Sequence, residues 1–357
     1  MAVYEPGSNR CGGQCVIACV GGAVTRLELR PLPCPDAGEL LLRLRAVGLC
    51  GTDLFKLATG AVSPGLVLGH ELVGEVCALG SGVHGFGIGD RVAVPHHVPC
   101  GRCEACRRGN ETLCATFREN LLEPGGFAHF VLVRAPAVRA AARLVPPWMH
   151  DDTAVWMEPA ACVLRGVWRA APAASAVAVV LGAGGMGLLH LMVLKAERPD
   201  MRVLMVDPIA SRLALARQHG ADACTDPAAA PDTLRTLGDG RGADVVFDTV
   251  GGAAALDTAL ALTREGGSVV LFAHAGDGER ARFDINFLFK YERRVLGSYS
   301  GGPAEQARVF DLMCARDLDP AALVTHRLPL ARFDEGVRLA RAREAIKVVF
   351  TGPGAAS

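Results

Sequence analysis

The sequence has no apolar run of roughly 18 or more residues; its longest candidates are interrupted by glycine or charge. A membrane-spanning helix is therefore not expected, although half of the residues are hydrophobic and mean hydropathy is +0.28. No excess of charge is present either. Lys+Arg and Asp+Glu both number 37, and the isoelectric point is near 7.1. This balance argues against nucleic acid or an anionic membrane as a partner. There is no internal repeat, no low-complexity block and no Ser/His/Asp pattern pointing to hydrolysis. Residues 1–10 are polar and lack the apolar stretch of a signal peptide, so a cytoplasmic location is expected.

The 357 residues suit two domains, and 42 glycines and 21 prolines suit many tight turns. Thirteen cysteines are many for a chain read as cytoplasmic, and four of them fall within fifteen residues. Clustering of that kind points to metal rather than to disulfides. Up to about residue 94 the pattern is one of short strands and turns. Residues 39–47 and 71–77 read as half-buried strands. Residues 95–125 read as a loop, followed by a strand at 126–134. A helix is expected over 152–170. From 176 onward, strands at 176–181, 202–206, 244–248 and 268–272 alternate with helices near 188–196, 211–219 and 253–263. That alternation implies a parallel sheet with helices on both faces. Helices at 304–314 and 333–341 and a strand at 346–350 close the chain.

The apolar run 177–181 leads into Gly182-Ala-Gly184-Gly185-Met186-Gly187 and then into a helix. The pattern G-x-G-x-x-G alone is weak, but strand, turn and helix together form a dinucleotide cradle. Gly182 permits the tight turn, Gly184 the approach of a pyrophosphate, and Gly187 close packing of helix on sheet. Asp207 follows Gly187 by 20 residues. A carboxylate there accepts from ribose hydroxyls and repels a 2′-phosphate, which predicts NAD over NADP. Arg212, close behind, leaves room for some tolerance of that phosphate.

Cys100, Cys103, Cys106 and Cys114 form C-x2-C-x2-C-x7-C. Four thiolates so spaced can close a tetrahedron around a structural zinc. An iron–sulfur cluster uses the same donors, and free thiols or disulfides remain open. Cys50 in Gly48-Leu-Cys50-Gly51-Thr52-Asp53, His70-Glu71 and Glu158-Pro159 each have an ordinary structural reading when taken singly.

Together, however, these stretches resemble the zinc-dependent medium-chain dehydrogenases, most closely their sorbitol and threonine dehydrogenase branch. The resemblance runs from about residue 14 to residue 350. It includes Cys50-Gly-Thr-Asp53, Gly69-His-Glu71, Gly89-Asp-Arg-Val92, the cysteine loop, Gly125-Gly-Phe-Ala128, Glu158-Pro159, the glycine turn and Ile346-Lys-Val-Val-Phe350. It implies an α/β chain with a mostly-β, GroES-like catalytic domain over 1–160, completed by 300–357. A Rossmann doubly wound NAD-binding domain over 161–299 is inserted between. It further implies Cys50, His70 and Glu158 as ligands of a catalytic zinc, with Glu71 a ligand in some members or states. Cys162, one helical turn after Glu158, is the alternative third ligand. A homodimer or homotetramer is expected.

The expected reaction is hydride transfer between a secondary alcohol or polyol and NAD, with Thr52 moving the proton. In the alcohol dehydrogenase branch proper, a histidine five residues after the zinc cysteine ends a proton relay; here that position is Phe55. Two other readings fit parts of the sequence: a zinc-free quinone or enoyl reductase, and a non-enzymic zinc- and nucleotide-binding protein. Phe55, Phe117, Arg118, Glu119, Trp156 and Tyr299 are the expected cleft residues, and the polar run 118–120 leans towards a hydroxylated substrate.

Overall fold

The computed structural model describes residues 14–21, 24–59 and 65–353; the polar segment 1–10 lies outside them. The chain divides into two compact units, Met1–Glu158 with Gly302–Ser357, and Pro159–Gly301.

The first unit opens with β1 (Gln14–Gly21), β2 (Val24–Pro31), β3 (Leu40–Gly48), α1 (Gly51–Thr59), β4 (Leu66–Val67), β5 (Glu71–Leu79) and β6 (Arg91–Pro95). It continues through the one-turn helix α2 (Glu104–Arg107), β7 (Leu122–Glu123), β8 (Phe130–Val133), α3 (Ala135–Ala140), β9 (Arg143–Leu144) and α4 (Asp151–Ala154). α5 (Met157–Ala170) crosses into the second unit. That unit holds β10 (Val177–Leu181), α6 (Gly185–Glu197), β11 (Arg202–Val206), α7 (Ala210–Gln218), β12 (Ala223–Thr225), α8 (Ala230–Leu237), β13 (Ala243–Asp248), α9 (Ala253–Leu262), β14 (Thr263–Leu271), α10 (Ile285–Phe289) and β15 (Arg294–Gly297). The chain then returns to the first unit with α11 (Pro303–Ala315), β16 (His326–Pro329), α12 (Phe333–Arg341) and β17 (Val348–Thr351).

In the second unit the six strands run parallel in the order β12-β11-β10-β13-β14-β15. The chain starts in the middle at β10, builds outward to β12, then restarts on the other side at β13. The order reverses between β10 and β13, the switch point at whose carboxyl ends such sheets bind ligands. All five residues of β10 are buried, as a strand covered on both faces requires.

The main sheet of the first unit runs β16-β17-β3-β5-β6-β9, with β8 also on β3. β3 is not half-buried as its sequence pattern suggested. Leu40, Leu41, Leu42, Leu44, Ala46 and Val47 are all buried, and only Arg43 and Arg45 interrupt the run. Apolar side chains of β3, β5, β6, β8, α3 and α12 share one buried cluster. The expected helix over 152–170 is also two helices, α4 and α5, broken at Val155 and Trp156. Pro159 gives the reason: lacking an N–H, it belongs in the first turn of a helix, so a new helix starts just before it. Asp151 fixes α4 to the sheet by accepting from Arg45 on β3 and Arg91 on β6, each at 2.8 Å. The expected loop over 95–125 contains α2 and two 3-10 turns, Glu111–Leu113 and Ala115–Arg118.

Candidate active site

Strand register assembles the centre. Gly48 on β3 pairs with Glu71 on β5, and Glu71 pairs with Pro95 on β6. On the other side Val349 of β17 pairs with Gly48. Cys50 therefore lies two residues beyond the end of this row, His70 one residue before it, and His96 one residue past its far end. Chain segments nearly 300 residues apart meet along one line across the sheet.

Cys50, His70 and Glu71 place ligand atoms within 4.8 Å of one another. Cys50 opens α1, where its N–H donates to Asp53 Oδ2 at 3.1 Å and its Sγ accepts from the Thr52 N–H at 3.4 Å. Asp53 Oδ1 lies 3.5 Å from His70 Nδ1. Burial opposes charge on both residues, but each outweighs it for the other: Asp53 is held below the usual carboxyl range, and His70, helped by Cys50, is raised well above the usual imidazole range. With Nδ1 turned to Asp53, the other ring nitrogen is left for a metal, the arrangement in which a carboxylate orients a histidine ligand.

Glu71 carries a second contact. Its Oε2 pairs with Lys347 just ahead of β17, and both side chains are buried. Lys347 also lies 4.6 Å over the ring of Trp156. Gly48 makes the pair possible, because a Cβ there would collide with Glu71 Oε2 and press on Lys347 Cε at 2.8 Å. The other oxygen, Oε1, is buried with no partner among the described residues. A thiol, an imidazole and an unsatisfied carboxylate oxygen converging at this distance are a donor set that fits zinc. Glu158, at the start of α5, is buried but does not join this mutual 4.8 Å group.

The second cluster is Cys100, Cys103, Cys106 and Cys114, also within 4.8 Å. All four are free of disulfides. Cys103 Sγ and Cys106 Sγ are 3.5 Å apart. The Cys103 N–H donates to Cys100 Sγ at 3.3 Å, and the Cys100 N–H to Cys114 Sγ at 3.4 Å. Burial works against a thiolate at Cys114, yet the Cys100 N–H, the Thr116 hydroxyl and neighbouring thiols bring it down to about 5. Burial and the Cys103, Cys114 and Cys100 thiols push Cys106 up to about 12, against the Gly101 N–H. Four sulfurs converging without bonding to one another fit a closed, structural zinc site.

In the second unit the glycine turn leaves β10 as expected. Gly182 takes φ +92°, and a Cβ on Gly187 would strike the Gly182 carbonyl oxygen. α6 starts at Gly185 with no side-chain cap on Gly184. Its first N–H groups, including that of Met186, are thus available to an anion. Asp207 accepts from the N–H groups of Ala183 at 2.7 Å and Ile209 at 2.8 Å, so the carboxylate is locked against the turn. Arg212 Nη1 stands 3.9 Å from Asp207 Oδ2.

Two of the expected cleft residues serve other purposes. Phe117 is fully buried against the cysteine cluster, and Trp156 is fully buried beneath Lys347. Both are large apolar side chains, which sequence alone could not assign to core or cleft. Arg118 and Glu119 are exposed, Phe55 is half-buried, and Tyr299 in the second unit is exposed. The sequence reading missed Lys347 as a partner of Glu71, and it missed His96; their only signals were the Ile-Lys-Val and Pro-His-His contexts. A cavity of about 800 Å³ in the second unit lies at the amino ends of the strands and contains none of the residues singled out. Arg202 there is opposed by Asp239 and Arg264 by Asp244.

The chain matches the model of the alcohol dehydrogenase GroES-like domain over residues 36–142 and that of the zinc-binding dehydrogenases over 185–315. It is 33% identical to D-altritol 5-dehydrogenase of Agrobacterium fabrum, over 86% of this chain and 90% of that one. It is 29% identical to sorbitol dehydrogenase of Halalkalibacterium halodurans, over 91% and 95%. The chain belongs to the zinc-dependent medium-chain dehydrogenases. A zinc-binding dehydrogenase of Sinorhizobium meliloti bound to NADP superposes with a TM-score of 0.84 at 27% identity, covering 95% of this chain and 99% of that one. As a zinc-dependent medium-chain dehydrogenase, the protein is an oxidoreductase of the alcohol and polyol dehydrogenase class. The zinc-free reductase reading and the non-enzymic reading have no support beside two converged ligand clusters. No helix among the described residues is long and apolar enough to cross a membrane.

Proposed function

We propose that this protein oxidises a secondary alcohol bearing further hydroxyl groups, using NAD, and carries out the reverse reduction. The observation that carries the reading is the convergence of Cys50, His70 and Glu71 at the row where β3, β5 and β6 meet. Cys50 and His70 would hold the catalytic zinc, with Glu158 the proposed third ligand, Cys162 its alternative, and Glu71 a ligand in some states. Zinc bound there supplies Lewis acidity that lowers the pKa of an alcohol oxygen, and NAD supplies the hydride acceptor.

The protein's own groups do the rest. Asp53 holds His70 in one orientation. Lys347 balances the charge of Glu71. Thr52, half-buried on α1 two residues after Cys50, receives the alcohol proton. Phe55 cannot carry that proton onward, so it leaves by another route. The cysteine loop holds the structural zinc. In the inserted nucleotide domain, proposed over 161–299, Gly182, Gly184, Gly185, Met186 and Gly187 form the pyrophosphate cradle. Asp207, fixed by two backbone donors, favours NAD, with Arg212 beside it. The catalytic domain comprises 1–160 and 300–357.

A homodimer or homotetramer is part of this reading. It is supported by β15, an edge strand among the described residues, and by Ile285 and Phe289 shortly before it in the chain, 76% and 77% exposed. The reducing conditions of the cytoplasm suit two thiolate-bearing clusters. The test is a screen of NAD and NADP reduction against polyols, amino alcohols and simple secondary alcohols. Turnover of a polyol with NAD preferred is the expected result. Preference for NADP, or no turnover of any CH–OH substrate, would overturn it.

A further inference from the structure

The strand row that assembles the Cys50 centre brings one more side chain to it. His96 follows Pro95, the β6 partner of Glu71. Its ring centroid lies 4.6 Å from that of His70, at a tilt of 37°. On its other side His97 lies at 3.4 Å, and His97 in turn stacks at 5.1 Å on Phe117. The two neighbouring histidines differ in one respect. His97 Nδ1 meets the Glu119 carbonyl at 3.1 Å. His96 Nδ1 is buried with no hydrogen-bond partner among the described residues.

A buried polar atom without a partner is costly, and native proteins keep one mainly where function employs it. Trp156 Nε1, beneath Lys347, is another such atom, whereas Glu71 Oε1 and Asp53 Oδ1 sit beside groups of the centre itself. Glu71 is a member of the ligand group, and Asp53 Oδ1 is the atom set against His70. His96 is not a member of the ligand group. A neutral imidazole presents one donor and one acceptor, which is what an alcohol hydroxyl matches.

We infer that His96 binds a second hydroxyl of the substrate, on the carbon beside the one oxidised, and thereby sets a preference for polyols over simple secondary alcohols. The inference rests on the alcohol-oxidation reading above. It gives that reading a physical source of selectivity: a site built to hydrogen-bond a hydroxyl rejects the analogue that lacks it far more strongly than an apolar pocket discriminates by size. Fixed on one side by His97 and on the other by His70, the ring has little freedom to turn away.

The test compares 2,3-butanediol with 2-butanol, which share a carbon skeleton and differ by one hydroxyl. His96→Phe keeps a flat ring and removes both polar atoms. It should lower kcat/KM for the diol by at least about tenfold, mainly through KM, and leave 2-butanol within about twofold. His96→Gln should recover part of the diol activity. Zinc content and thermal midpoint should match wild type in both variants. An equal loss on both alcohols, or loss of zinc in His96→Phe, would overturn the inference and make His96 a support for His70. Wild-type enzyme that oxidises neither alcohol, nor any other in the screen, would overturn the parent reading and this inference with it.

Discussion

The four-cysteine loop takes all its donors from fifteen consecutive residues, whereas the Cys50 centre gathers its residues from the ends of β3, β5, β6 and β17. The first is local, made of one donor type and closed. The second is mixed, depends on strand register, and carries buried charge in Asp53, Glu71 and Lys347. A local cluster clamps an irregular segment and contributes stability. A cluster spread across a sheet is positioned by a fold that already exists, so its residues are available for chemistry.

This contrast can be broken by substitution. The largest effect is expected of Cys50→Ser, which should lower turnover by several orders of magnitude while leaving the thermal midpoint close to wild type. A large drop in midpoint would show that the Cys50 centre is structural as well. Thr52→Ala should keep zinc and slow oxidation by about 10²–10⁴-fold, the usual contribution of a general acid–base group. The deficit should shrink as pH rises and the alcohol ionises without help; a pH-independent deficit would remove Thr52 from the proton path. Lys347→Met leaves Glu71 buried with an uncompensated charge. Denaturant unfolding should register a loss of about 3–5 kcal/mol, and a neutral result would mean that Glu71 has another countercharge.

The smallest effect lies in the second unit, where His190 is buried edge-on to Phe272 at 4.6 Å. Burial brings its pKa down to about 4, with the Met186 carbonyl opposing. Unfolded histidine titrates near 6.5, so between pH 6.5 and about 4 the unfolded chain binds the extra proton and folding stability falls as pH falls. His190→Leu should flatten that limb by up to about 3 kcal/mol. An unchanged acid limb would mean that His190 is protonated in the native state.

The sequence disclosed the two clusters unequally, for the same physical reason. Cysteines spaced by two and seven residues report their own proximity, so the loop was legible without a fold. Cys50 and His70 acquired meaning only through the resemblance, because the Gly48–Glu71 and Glu71–Pro95 pairings are long-range. The Glu71–Lys347 pair spans 276 residues, and no local pattern announces it. His96 stood in an ordinary Pro-His-His context. The parallel sheet was legible because each strand-helix unit is itself local, and the glycine turn lies where its spacing put it. β3 misled because Arg43 and Arg45 imitate the alternation of a half-exposed strand. Phe117 and Trp156 misled because a large aromatic residue serves a core and a cleft equally well.

The most direct test of the account is the zinc content of three purified proteins, measured by elemental analysis. Wild type should hold about two ions per chain, and Cys50→Ser and Cys103→Ser about one each. Cys103→Ser should also unfold at lower temperature, and Cys50→Ser should not. Wild type holding about one ion, or either variant losing both, would contradict two independent metal centres built in two different ways.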